Sequence, residues 1–448
     1  MSARPLRTGA VLMAACQLVT AATGFLTTII IARMLGPEEV GAYTVALSLL
    51  LVLGVVCSLG LENGIAWSVA AGRWSPRAAF AQTQVVAAVT GTIGVGLAAV
   101  LRLLMPNAFG GLSVGLVVVA AAGLPFLISW QYARWLAVAL DRYEAFVLPP
   151  AIVSTLALVL CGVGAAVWEV DGVIWGLLVA YVLTAVLSIA DALRALPNVD
   201  AARGGADDPG GRVRLREATG FGVRANAATA LQFLNYRLDL FVLSAVASGT
   251  DLGLYATAVS VTGVMFLAPQ TLAYVVFPRV AALSAAGAEG EAQRATVEAK
   301  SLRHVSLLTL VTLPVVGVAM AVLIPLLYGS EFDGAVVLGV ILLPGVALFG
   351  IASVLAATIN GRGRPELSLR AAIWSTPPAL VLYAVLIPLL GDTGAAIAST
   401  ASYALNFAVT AVYYRAATGD HVAPLLVPTR EEVADLRALM RAPARRAR

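Results

Sequence analysis

Charge is scarce in this chain. Only 12% of its residues are Asp, Glu, Lys or Arg, about half the share usual in soluble domains, while 60% are hydrophobic. A soluble fold has no interior large enough for that much apolar surface, so lipid must cover part of it. Lysine is nearly missing, Lys300 being the only one, and histidine is limited to His304 and His421. Cys16, Cys57 and Cys161 lie inside apolar runs without metal-ligand spacing, so they read as small core residues and no metal site is expected. There is no P-loop, nucleophile elbow or His-rich cluster. The chain therefore reads as a non-enzyme without a cofactor. Any transport would draw on a proton or sodium gradient, the membrane potential or the substrate itself.

What is present is apolar sequence in long runs. About twelve of them approach the ~20 residues a spanning helix needs: 9–35, 42–70, 78–104, 112–138, 146–167, 172–193, 219–247, 253–277, 304–328, 335–357, 367–390 and 394–415. The second and eighth are long enough to project beyond a bilayer. The first follows Arg4 and Arg7 but is too long for a signal-peptide core, so it reads as a retained helix.

Placing the N-terminus inside puts 25 of the 29 positive residues on the cytoplasmic side. The outer turns then carry Glu38, Glu39, Glu169, Asp171, Asp251, Glu331, Asp333 and Asp392. This positive-inside pattern predicts a multi-pass protein of the cell membrane with both termini cytoplasmic. The basic balance then speaks for anionic membrane lipid as a partner and against nucleic acid.

The chain divides on a polar, glycine-rich stretch at 195–216, expected to be a cytoplasmic linker. The expected organisation is an N-terminal lobe over 1–194, a C-terminal lobe over 217–415 and a cytoplasmic tail over 416–448. In the tail, Thr429-Arg-Glu-Glu432 has the pattern of a capping box opening a short amphipathic helix with Val433, Leu436 and Met440 on one side.

The two lobes echo one another. Gly41, Tyr43 and Ala46 recur 212 residues later as Gly253, Tyr255 and Ala258, each set after a tight turn between apolar runs. Asp171-Gly172 and Thr393-Gly394 likewise precede the sixth and twelfth runs. Six helices on each side of the linker imply a parallel repeat, a common frame for alternating access.

The seventh run carries the deepest charges, Arg237 and Asp239. An unpaired charge at such depth costs at least ~2.5–3.5 kcal/mol, so each needs a wet cavity or a partner. At about 100° per residue, Arg224, Gln232, Asn235 and Asp239 share an arc of about 80°, with Arg237 on the other side. Either the first stripe faces a central aqueous cavity and Arg237 bridges to a neighbour or joins the substrate site, or the pair is a structural clamp. Gln17, Thr20 and Thr27 share a face of the first run, where hydroxyls line a cavity or bond their own backbone. Glu62 is a further acid near the cytoplasmic boundary of the second run.

The stretch Ala32-Arg-Met-Leu-Gly-Pro-Glu-Glu-Val-Gly-Ala-Tyr43 resembles the opening signature of the polysaccharide (oligosaccharidyl-lipid) flippases of the multidrug/oligosaccharidyl-lipid/polysaccharide (MOP) exporter superfamily. Further matches are Asp239 ahead of Gly253-Leu-Tyr255, Phe277-Pro-Arg279, and Asn360-Gly-Arg-Gly-Arg364 followed by Gly394-Ala-Ala-Ile-Ala398. The resemblance implies an all-α, V-shaped pair of six-helix lobes like those of the multidrug antiporters. The implied cargo is an undecaprenyl-pyrophosphate-linked oligosaccharide, moved from the inner to the outer leaflet for surface polysaccharide export. Pathway glycosyltransferases and a glycan polymerase are the implied partners. Arginines such as Arg237 or Arg224 would meet the pyrophosphate or acidic sugars. A cation-coupled multidrug antiporter is the rival within the superfamily. A membrane-embedded polymerase or glycosyltransferase is disfavoured by outer turns too short to hold a catalytic site.

Overall fold

The computed structural model describes residues 3–202, 211–285, 287–432 and 434. Among them every regular element is helical, as expected where lipid offers the backbone no hydrogen-bond partner. The elements are α1 (Ala3–Leu35), α2 (Pro37–Cys57), α3 (Leu61–Ala70), α4 (Pro76–Leu104), α5 (Val114–Ala121), α6 (Leu124–Ala139) and α7 (Tyr143–Ala202). They continue with α8 (Gly211–Val246), α9 (Gly249–Thr262), α10 (Leu267–Ala285), α11 (Ala288–Leu327), α12 (Gly334–Gly361), α13 (Pro365–Thr418) and α14 (Val422–Leu425). Of the stretch 195–216, residues 195–202 complete α7 and 211–216 open α8, while 203–210 lie outside the described residues.

Among the described residues, nine segments are long and apolar enough to cross a membrane. Two of them, within α7 and α13, each hold a break that turns one helix into a hairpin of two arms. With the more polar α8 added, the crossings number twelve. The protein is a multi-pass membrane protein.

Local chemistry sets the boundaries. Gly36 takes a left-handed φ of 91°, Pro37 follows at the start of α2, and Glu38 and Glu39 lie on the positive end of its dipole. Ser75 caps α4 by accepting from the Ala78 N–H, and Ser113 caps α5 by accepting from Leu116 N–H. The second apolar run is not the single long helix that its length suggests. Leu59 and Gly60 adopt φ of 53° and 62°, which ends α2 and starts α3. The eighth run is also divided, by a 3-10 turn over Gly263–Phe266 between α9 and α10.

Packing divides the chain into two compact units, residues 1–256 and 257–448, so α8 belongs to the first and the boundary falls inside α9. In the first unit, α7 folds back on itself at Trp168 and Glu169. A Cβ on Gly172 would stand 2.2 Å from the Gly164 carbonyl oxygen, so the arms touch through bare backbone. Arg142 grips Asp191 with two hydrogen bonds of 3.0 and 2.9 Å, tying the far ends of the hairpin together. Glu38, Glu169 and Asp171 all lie within electrostatic reach of Glu39. The turn before α2 and the α7 break therefore share one end of this unit, termed here the acidic end.

The second unit repeats the device. Its α13 breaks at Gly391, φ 61°, and a Cβ on Gly394 would meet the Leu386 carbonyl oxygen at 2.0 Å. Gly172 and Gly394, paired in the sequence echo, thus do the same work in their own hairpins. At the opposite end Arg362 holds the buried Glu298 through contacts of 2.8 and 2.5 Å and donates to the Ala417 carbonyl. The tail docks beside it: Val422 joins a cluster with Leu302, Val305, Ile359 and Tyr414, and Ser306 donates to the Leu426 carbonyl at 2.6 Å. Half of the capping box is present: the Thr429 N–H donates to Glu432 Oε2 at 2.8 Å, and the Thr429 hydroxyl donates to the same oxygen. Glu432 also faces Arg303 at 3.9 Å. Val433, Leu436 and Met440 lie outside the described residues.

Candidate functional site

Of the predicted polar residues, Arg237 lies where α8 runs beside α2, in the stretch between two close backbone approaches. At the acidic end the two repeat glycines meet. A Cβ on Gly41 would lie 3.0 Å from the Gly253 nitrogen, and one on Gly253 only 1.7 Å from the Pro37 carbonyl oxygen. At the other end α3 and α8 approach just as closely. Added Cβ atoms would stand 2.4 Å from Gly222 O at Gly60 and 2.2 Å from Ala218 O at Gly64. Trp67 stacks on Phe221 there with centroids 4.8 Å apart, and Arg73 lies 4.6 Å over the Trp67 ring. Ala218 and Gly222 face Gly60 and Gly64 with the same four-residue spacing, the small-residue pairing that lets membrane helices touch.

Between these two closures lies Arg237. Its Nη1 donates to Ser48 Oγ of α2 over a long 3.5 Å, and its guanidinium sits 5.2 Å over the Tyr236 ring. The Nε is buried and has no hydrogen-bond partner among the described residues. A guanidinium carries five donors in a fixed fork, so most of its capacity for an anion is open.

Asp239 has a different setting. It is 0% exposed, accepts the Tyr255 hydroxyl at 2.5 Å and takes the Leu240 N–H at 2.8 Å. Tyr255 is the second-copy repeat tyrosine, so the motif itself holds the deep carboxylate. Asn235 is buried one turn away and Gln232 is half-buried. The Arg224 side chain lies outside the described residues.

In α1, Thr20 donates to the Cys16 carbonyl and Thr27 to the Thr23 carbonyl, each at 2.8 Å, while Gln17 is half-buried. The threonine hydroxyls thus bond their own helix. Glu62 stands apart from Arg237, in the first turn of α3 beyond the Leu59–Gly60 break. Ser48 and the Trp67–Phe221 stack were not singled out from sequence, and Tyr255 was read as part of the repeat and not as a partner of Asp239. Tyr255 and the glycine spacing had a readable signal; the Ser48 contact joins residues 189 apart and had none.

The sequence pattern of the polysaccharide biosynthesis protein family matches residues 6–284. The chain belongs to that family. Among curated relatives of this polysaccharide biosynthesis protein is the probable low-salt glycan biosynthesis flippase Agl15 of Haloferax volcanii. It is 26% identical over 176 residues, 39% of this chain and 37% of the relative. The alignment thus takes in a little over a third of that protein's length. Solved structures share the fold at low identity. A lipid II flippase MurJ in an inward closed conformation matches with TM-score 0.63 and 13% identity, over 93% of this chain and 89% of that one. An inward-facing multidrug resistance MATE family transporter of the MOP superfamily matches with TM-score 0.70 and 14% identity, over 93% and 98%. The family member therefore has the fold of MOP-superfamily transporters.

Proposed function

We propose that the protein moves an undecaprenyl-pyrophosphate-linked oligosaccharide from the inner to the outer leaflet of the cell membrane by alternating access. The observation that carries this reading is Arg237, a guanidinium with open donors set between two closures in a chain of the polysaccharide biosynthesis family. A planar guanidinium fits the oxygens of a phosphate or pyrophosphate bidentately. The close approaches at Gly41/Gly253 and at Gly60/Gly222 are the places that must separate in turn for cargo to enter and leave. The repeats over 1–194 and 217–415 supply the paired lobes, with both termini cytoplasmic. The glycosyltransferases and polymerase of the same pathway would act before and after this step. Coupling to a proton or sodium gradient, or to the membrane potential, supplies direction.

The test is reconstitution in proteoliposomes loaded with a labelled undecaprenyl-pyrophosphate oligosaccharide, its exposure read by an impermeant glycosidase. The wild type should expose the glycan, and Arg237→Ala should lose most of that rate while inserting normally. Equal rates from Arg237→Ala and wild type would remove Arg237 from the path. Movement of a cationic drug without movement of the glycan would favour the multidrug antiporter reading instead.

A further inference from the structure

Glu62 is an intramembrane acid of the first unit that the reading above leaves without a role. It is 9% exposed. Its Oε1 accepts a 3.3 Å hydrogen bond from Ser58 Oγ, and its Oε2 is buried with no partner among the described residues. It lies two residues past the break where Leu59 and Gly60 take left-handed φ of 53° and 62°. The break is braced by Tyr132, whose hydroxyl donates to the Ser58 carbonyl at 2.8 Å.

Among the described residues, the surroundings of Glu62 offer no counter-charge. Tyr132 of α6 is within electrostatic reach of Glu62 and of Cys57 of α2, and the tyrosine hydroxyl and the cysteine thiol are neutral in their ordinary forms. Ala79, Phe80 and Ala87 of α4 share a buried apolar cluster with Leu61 and Ile65, the neighbours of Glu62 in α3. From α8 the residues at the α3 contact are Ala218, Gly222 and Asn226. No basic side chain pairs with Glu62 among the described residues. A carboxylate in such a place is strongly disfavoured unless a cation joins it. Two or three oxygens are too few for sodium, which wants a cage of several, whereas a proton needs only Oε2 itself.

We infer that Glu62 is a proton-binding site whose occupancy is linked to closure of the α3–α8 contact. The step is one of association alone: a proton from the aqueous phase binds Oε2, forming an O–H bond and leaving a neutral carboxyl. The link is geometric. Gly60, two residues before Glu62, is pressed against the Gly222 carbonyl and the Asn226 side chain. With the proton bound, the acid rests in its apolar pocket and the contact stays closed. With the proton lost, the anion pulls its turn toward water, and the Gly60–Gly222 contact opens. This inference rests on the transport reading for its purpose, since it makes Glu62 the coupling site of the flippase. Its physical content does not need a substrate.

The experiment is accordingly substrate-free. Infrared spectra of the purified protein are recorded for wild type, Glu62→Gln and Glu62→Asp. In parallel, disulfide formation between Trp67→Cys and Phe221→Cys is followed across pH with Glu62 present or replaced by Gln. The wild type should show a protonated-carboxyl band that Glu62→Gln lacks and Glu62→Asp shifts. Relative to the Glu62→Gln background, the cysteine pair should cross-link several-fold faster at low pH than at high pH. An unchanged band in Glu62→Gln overturns the proton site. Loss of the band with the same pH profile in both backgrounds overturns the link to closure. Abolition of the band by sodium at fixed pH overturns the choice of proton over metal cation. Should Glu62→Gln fail to fold, the shift in Glu62→Asp decides the site, and no shift overturns it. A protein that passes these tests yet moves no glycan would sink the proposed cargo and leave the proton site standing.

Discussion

Replacing Gly253 by Ala should be among the most damaging single-methyl changes in the first unit. The added Cβ would stand 1.7 Å from the Pro37 carbonyl oxygen and 2.4 Å from the carbonyl carbon. Real Cβ atoms do not approach closer than 3.0 Å, so α9 and α2 must part by at least 1.3 Å there. Neither partner can swing aside, because both are backbone and proline's φ is fixed. Forcing one methyl into a packed contact costs roughly 1–3 kcal/mol. Gly→Ala in a helix also brings up to ~1 kcal/mol of propensity, which would mask part of the loss.

Gly24→Ala is the matched control, since nothing lies within 4 Å of its Cβ position and it too is helical. The difference between the two variants isolates the clash. At roughly 2–4 °C per kcal/mol for a chain of this order, the two melting points should differ by about 2–12 °C in detergent. The strain has a second outlet, which is opening of the acidic end without unfolding. A cysteine introduced by Ala42→Cys, at a position 3% exposed, would then become reactive to a soluble thiol reagent in the Gly253→Ala background. Melting equal to that of Gly24→Ala, with the introduced thiol still protected, would refute the reasoning.

Arg362→Ala should strip the buried Glu298 of its two-pronged partner and cost roughly 3–5 kcal/mol, read as lost accumulation or a lowered melting point. Gly249→Ala should be tolerated, because the nearest atoms are the Cγ and carboxyl carbon of Glu38, a side chain free to turn away; the same melting assay checks it. Burial pushes the Glu432 carboxyl upward, but hydrogen bonds from Thr429 and the Arg303 charge outweigh it and hold Glu432 below the usual range. Its contribution to tail docking is therefore complete above the unfolded value near ~4.3 and is lost as pH falls through the lower folded value. Hydrogen exchange over 422–432 should show protection at neutral pH that drops in acid, and Glu432→Gln should abolish the difference.

The sequence disclosed most of the architecture because each device has a local cause. The hairpins of α7 and α13 are marked by Gly172 and Gly394, and the start of α2 by Gly36-Pro37-Glu38-Glu39. The half capping box at Thr429–Glu432 needed only a four-residue pattern. Illegible from sequence was the division of the second run. Leu59 is an apolar residue inside an apolar run, and only tertiary contacts from Tyr132 and Gly222 reveal why the chain turns left-handed there. The site followed the same rule. The depth of Arg237 and Asp239 was countable along one helix, but Ser48 and Tyr255 reach them from other helices.

Sliding the chain by 212 residues lays Asp239 over Thr27 and Arg237 over Phe25. Thr27 bonds its own helix at Thr23, whereas Asp239 is held by Tyr255, whose first-copy counterpart Tyr43 is buried without such a carboxylate at the matching place. The second copy thus turned a locally satisfied hydroxyl into an interhelical clamp, and beside it placed a guanidinium that no carboxylate among the described residues pairs with. The two charges should therefore part company on substitution. Tyr255→Phe removes a charge-assisted hydrogen bond from a buried acid and should cost roughly 1.5–3 kcal/mol of stability. Arg237→Ala removes a half-buried guanidinium whose Nε is unpartnered among the described residues and should leave the melting point unchanged or higher, while glycan movement falls. If instead Arg237→Ala unfolds the protein and Tyr255→Phe does not, the clamp is at Arg237. The asymmetry of the repeat would then serve packing and not cargo.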